Sequence, residues 1–64
     1  MLVTKFTRLD AQGIGKVFVN RLPVGEYWAS GAHWAFRSHD GRDDTASHRR
    51  GLVPFAEAAF ARLA

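Results

Sequence analysis

Residues 26–37 alternate large apolar and polar side chains at a period of two, the spacing of a strand with one buried face, on both sides of a short break. Ser30-Gly31 is an acceptable two-residue turn, because Gly31 tolerates positive φ and Ser30 can bond locally to the backbone. The pattern predicts a hairpin in which Ala29 opposes Ala32, Trp28 opposes His33, Tyr27 opposes Trp34 and Glu26 opposes Ala35. Directly opposed residues share a face. Tyr27, Ala29, Ala32, Trp34 and Phe36 then form an uncharged core wall, and Glu26, Trp28, His33, Ala35 and Arg37 form the outer face. A turn slipped by one residue is expected to exchange the two tryptophans between faces.

Upstream, residues 2–9 alternate well enough for a first strand, with Val3, Lys5, Thr7 and Leu9 on one side and Leu2, Thr4, Phe6 and Arg8 on the other. Asp10 to Gly15 reads as a turn, and the β-branched and aromatic content of residues 16–22 marks a second strand. Pro23 cannot donate to a ladder, so it ends that strand or lies at an edge, and Pro23-Val24-Gly25 turns the chain into the hairpin strands near 25–29 and 32–37.

Residues 38–51 contain no large apolar side chain. Asp40-Gly41 is a hairpin turn signal, so residues 42–47 add a short polar edge strand or else the whole segment is a loop. The last element is a helix over 54–63, opened by Pro54 and supported by alanine-rich sequence, an early Glu57 and a late Arg62. At helical spacing Phe55, Ala56, Ala59, Phe60 and Leu63 make one stripe, with Phe60 and Leu63 expected to pack on Trp34 and Phe36. Phe60→Ala is then expected to cost about 3 kcal/mol. The fold class is α+β: one domain over 1–64, with a small antiparallel sheet of three or four strands and one C-terminal helix packed on one face.

At 64 residues the core is small and folding alone is marginal, a condition that a second copy or a larger partner relieves. The chain has no cysteine, which excludes disulfide staples and thiolate metal sites and points to a reducing compartment. There is no long apolar run at the N-terminus and no segment of membrane-spanning length, so a cytoplasmic protein without a membrane partner is expected. Nine basic residues, seven of them arginine, against six acidic ones lean weakly toward acidic partners. With the alanine content, that arginine bias fits a GC-rich bacterial or phage genome.

Catalytic and cofactor chemistry finds little support. His39 and His48 with Asp40, Asp43 and Asp44 supply ligand types without a zinc or iron spacing, and a solvated polar loop accounts for them better. Gly13-Ile14-Gly15-Lys16 lacks the remaining positions of a phosphate loop and reads as a turn between strands. No serine or cysteine sits in a nucleophile elbow, and Asp43-Asp44 has no cleft to bury it. No catalytic, cofactor or metal residue is therefore assigned, and an enzyme is not expected.

A binding surface is the sharper expectation. Trp28, His33 and Arg37 on the outer face, continued by Arg42, Arg49 and Arg50, combine a stacking ring with arginine charge. Tryptophan and arginine are over-represented at protein interaction hot spots. The mixed charge of residues 37–50 suits a larger protein or complex better than a polyanion. The first reading is thus a small non-enzymatic binding module or inhibitor of the kind phages and mobile elements encode. The alternative is a nucleic-acid-binding domain using the same Trp/His/Arg face, and a homodimer through an open sheet edge is a further partner class.

His33-Trp34-Ala35-Phe36-Arg37, then Asp40-Gly41-Arg42, then Ala56-Glu57-Ala58 resemble the arm-type DNA-binding domains of tyrosine recombinases. The resemblance covers the second half of the chain and implies a three-stranded sheet, backed by a helix, that enters the major groove. Asp43 and Asp44 depart from it, standing where basic and apolar strand residues are expected.

Overall fold

The computed structural model describes residues 1–63. Five strands run as an antiparallel meander in the order β1 (Thr4–Phe6), β2 (Ile14–Val19), β3 (Leu22–Ser30), β4 (His33–Ser38) and β5 (Asp43–Ala46). A 3-10 turn, Arg49–Leu52, leads directly into helix α1, Val53–Ala61. The class matches the sequence expectation, but the sheet has five strands rather than three or four. The additional strand is the polar edge β5, which carries no apolar signal because one side of it faces solvent.

The β3–β4 register corrects the predicted hairpin. Tyr27 opposes Phe36, Trp28 opposes Ala35, Ala29 opposes Trp34 and Ser30 opposes His33, so the loop is Gly31-Ala32 with Gly31 at φ 61°. The turn has moved by one residue, yet the two tryptophans have not changed faces. Shifting a two-residue loop by one position shifts every partner by two, and side chains alternate with a period of two. A three-residue loop would instead have placed both tryptophans on one face.

The β2–β3 connection differs more. No turn forms at Pro23-Val24-Gly25; the chain reverses at Asn20-Arg21, where both residues are left-handed at φ 49° and 70°. Asparagine tolerates this conformation readily, whereas arginine is held there at a cost of about 1–2 kcal/mol. Val17 pairs with Gly25 but Phe18 pairs with Pro23, so Val24 is an unpaired bulge residue. The bulge turns Val24 into the core, where it is fully buried, although its neighbours Gly25 and Tyr27 already claim the inward positions. Pro23 costs no ladder bond to β4, because β4 pairing begins only at Gly25.

Val17, Val19, Val24, Tyr27, Phe36, Leu52, Ala56 and Ala59 form the buried cluster between the sheet and α1. Two glycines make room for its rings. A Cβ at Gly15 would overlap the Tyr27 ring, and one at Gly25 would overlap the Phe36 ring and the Arg37 carbonyl. Tyr27 also packs edge-on to Phe6 at 5.1 Å and lies 5.7 Å from Trp34, and its hydroxyl donates to the Thr7 carbonyl.

On α1, Ala56 and Ala59 are buried while Phe55 and Phe60 only partly cover the core. Leu63 is 42% exposed and lies beyond the helix, so it does not extend the expected stripe. Small alanines let the helix approach the sheet closely, and Leu52, just before α1, supplies the large fully buried side chain. Asp40 anchors the far end of α1 through Arg62, with Nε to Oδ2 at 2.5 Å and a second bond at 3.0 Å. His39 adds a bond from its Nε2 to the Ala59 carbonyl at 2.9 Å.

Candidate functional site

The sheet face opposite α1 carries no helix, and its side chains are ordered by the register. One row reads Ile14, Trp28, Ala35, Thr45 across β2 to β5; the next reads Lys16, Glu26, Arg37, Asp43. The first is an apolar band ending in a hydroxyl. The second alternates positive and negative charge on four successive strands, an arrangement in which every charge has an opposite neighbour. Trp28 is half-buried and shields Ala35, which is 8% exposed although it faces away from the helix.

Arg37 and Asp43 form the tightest pair of this row. Arg37 Nε donates to Asp43 Oδ1 at 2.7 Å and Nη2 to Oδ2 at 3.2 Å, a two-point carboxylate contact. The Arg37 guanidinium holds the Asp43 carboxyl below its ordinary range, and Asp43 in turn raises Arg37. Both side chains remain more than half exposed, so the pair orients rather than stabilises. Two shallow grooves flank Trp28 and Arg37. One is bordered by Asp43, Asp44 and Thr45, the other by Leu9, Gln12, Ile14 and Glu26.

The six residues expected at the binding surface do not converge. Trp28 and Arg37 share the outer face and both of its grooves. His33 lies on that face by parity but opposes Ser30 rather than Trp28, and it is exposed at the hairpin end. Arg42 is in the β4–β5 turn with its Nε 3.8 Å from Asp40 Oδ2. Arg49 and Arg50 belong to the 3-10 turn on the helix side, where the Arg49 guanidinium sits 5.5 Å above the Phe6 ring. That ring packs on Tyr27, so Arg49 is separated from Trp28 by the sheet itself.

Three of the five ligand-type residues of 38–48 are engaged within the fold. Asp40 is held by Arg62 and by the Ser38 hydroxyl, Asp43 by Arg37, and His39 by the helix carbonyl. Gly13-Ile14-Gly15-Lys16 is not wholly a turn: only Gly13, at φ 81°, belongs to the loop, and Ile14 onward is β2. The loop itself is closed by Asp10, whose Oδ1 accepts from Gln12 N and Ile14 N at 2.8 and 3.0 Å.

Sequence reasoning missed where the uncompensated charge lies. Residues 1–25 contain Lys5, Arg8, Lys16 and Arg21 against Asp10 alone, whereas the rest of the chain carries five basic and five acidic residues. The ion pairs among the described residues are Arg37–Asp43, Arg42–Asp40 and Arg62–Asp40. The net charge of +3 equals the balance of residues 1–25, of which Lys16 stands opposite Glu26 in the outer-face row. Counting charge by half-chain would have revealed this.

Among the described residues no helix is long and apolar enough to cross a membrane. No protein-family model, curated protein or solved structure matches the chain. The resemblance to arm-type DNA-binding domains therefore rests on the quoted residues, and the sheet that carries them has five strands in place of three.

Proposed function

We propose that this protein is a non-enzymatic binding module that engages a larger protein through the outer sheet face centred on Trp28. The observation that carries the reading is the pairing of an apolar row, Ile14-Trp28-Ala35-Thr45, with a self-neutralised charge row, Lys16-Glu26-Arg37-Asp43. A half-buried tryptophan bordered by a held arginine is a rigid anchor with little rotamer freedom left to lose, which favours hot-spot contacts. The charge row suits a partner with both signs on its surface. A phosphate backbone needs arginines that are free to pair with it, and Arg37 already spends its two-point contact on Asp43.

The test is a photo-crosslinking amino acid at Thr45, beside the Trp28 groove, introduced in the native host. One protein partner is expected in the crosslinked product, and Trp28→Ala should abolish it. Crosslinking to nucleic acid alone, or a protein product indifferent to Trp28→Ala, would refute the reading.

A further inference from the structure

The open edge at β1 lies two strands from Trp28 and has a different chemistry, with Lys5 opposite Phe18 on the same outer face of the sheet. In the β1–β2 ladder, Asn20 N donates to the Val3 carbonyl and Thr7 N to the Lys16 carbonyl, both at 2.9 Å. The odd residues of β1 therefore bond to β2, and by the alternation of an antiparallel pair the backbone N–H and C=O of Thr4 and Phe6 point outward from the sheet. The same strand carries a buried Thr4 hydroxyl with no hydrogen-bond partner.

Beside this edge is a groove of about 720 Å³ lined by Val3, Lys5, Phe6, Thr7, Phe18, Asn20 and Arg21. Its lining combines apolar Val3, Phe6 and Phe18 with the basic residues Lys5 and Arg21. Neither cation has an ion-pair partner among the described residues. Asn20 fixes the mouth of the groove, since its Oδ1 accepts from Val3 N at 2.9 Å while its own N–H bonds the Val3 carbonyl.

We infer that β1 is a docking edge for an extended acidic peptide of a partner protein, which adds as a sixth strand. Main-chain bonds to Thr4 and Phe6 supply the register, and acidic side chains on the groove side meet Lys5 and Arg21. Charge complementarity selects this occupant. A second copy pairing β1 to β1 would bring Lys5 toward Lys5, which a sheet edge disfavours. A single nucleic-acid strand would satisfy the cations but leave the outward amides and carbonyls of Thr4 and Phe6 without partners. The inference stands independently of Trp28 itself, which does not line this groove.

The probe is a labelled seven-residue peptide of alternating glutamate and valine. Controls are the same peptide N-methylated at the amides that would face β1, a lysine-valine counterpart, and an oligo-thymidine strand. Binding is followed by fluorescence anisotropy and by amide NMR shifts of the full chain. The acidic peptide should bind and protect the Thr4 and Phe6 amides from exchange, and N-methylation should weaken it about tenfold. Lys5→Glu should weaken it by a similar factor while the circular dichroism melt is unchanged, and Trp28→Ala should leave it unaltered.

Oligo-thymidine binding without peptide binding would overturn the inference. So would peptide binding that leaves the Thr4 and Phe6 amides unprotected, or that Trp28→Ala removes. Sedimentation showing self-association that Asp44→Lys abolishes would also overturn it, because the edge would then be filled by the acidic β5 of another copy.

Discussion

Gly15→Ala offers a direct test of how the aromatic core is seated. Gly15 has ordinary strand backbone, so alanine is not excluded by φ, but its Cβ would stand 2.8 Å from Tyr27 Cζ, nearer still to Cε1, and 3.1 Å from the Thr7 carbonyl oxygen. Tyr27 is 1% exposed and confined by Phe6 at 5.1 Å and Trp34 at 5.7 Å. The ring has no free volume to move into. Displacing it also breaks the bond from its hydroxyl to the Thr7 carbonyl. Overpacking costs about 1–3 kcal/mol and the lost hydrogen bond about 1 kcal/mol. Replacing glycine restricts the unfolded chain and returns about 0.4–1 kcal/mol. The net destabilisation is about 2–3 kcal/mol, a large part of the stability of roughly 3–10 kcal/mol expected for a domain this size. Urea unfolding followed by the fluorescence of Trp28 and Trp34 reads it directly. With a slope of about 1 kcal/mol per molar, the midpoint should fall by about 2 M. In a Tyr27→Leu background, held folded with an excluded osmolyte, the same Gly15→Ala change should cost less than about 1 kcal/mol. Equal costs in the two backgrounds would show that the ring is not what Gly15 accommodates.

Arg21→Gly relieves a left-handed arginine and should raise stability by up to about 1 kcal/mol, read as a higher melting temperature; a loss would mean the Asn20-Arg21 turn is misplaced. Leu52→Ala removes a fully buried side chain and should cost about 2–5 kcal/mol, whereas Leu63→Ala, at a 42% exposed position, should cost under about 0.5 kcal/mol in the same urea assay. The Asp40 carboxyl is held well below its ordinary range by Arg62 first and by the Ser38 hydroxyl second. Its folded-state value is depressed, so this contribution is complete above the unfolded carboxylate range near pH ~4 and is lost as pH falls below it. Asp40→Asn should therefore flatten the acid limb of the stability profile between about pH 4 and 2, and an unchanged limb would exclude the Arg62 latch from acid stability.

Local pattern was enough to reveal the two-sided character of β3 and β4, the turn signal at Asp40-Gly41 and the alanine-rich helix opened by Pro54, while it left the polar segment after that turn open between strand and loop. Each depends on side-chain period, turn chemistry or intrinsic propensity, which act over a few residues. The faces of Trp28 and Trp34 were legible for a firmer reason than the hairpin register itself. Two-residue loops preserve parity, so an error of one in the turn left the sidedness intact.

Other features were decided by partners distant in sequence. Val24 points inward only because β2 and β3 meet with a bulge, and Asn20-Arg21 turns left-handed only because that pairing demands a tight reversal. Arg37 looked like a free cation until β5 placed Asp43 opposite it, and Arg49 looked like its neighbour until the 3-10 turn carried it to the helix side. The hydrophobic period of the chain by itself determined which side chains share a strand face. Which charges face one another depends on the order of strands across the sheet, a property of long-range pairing that leaves no trace in local sequence.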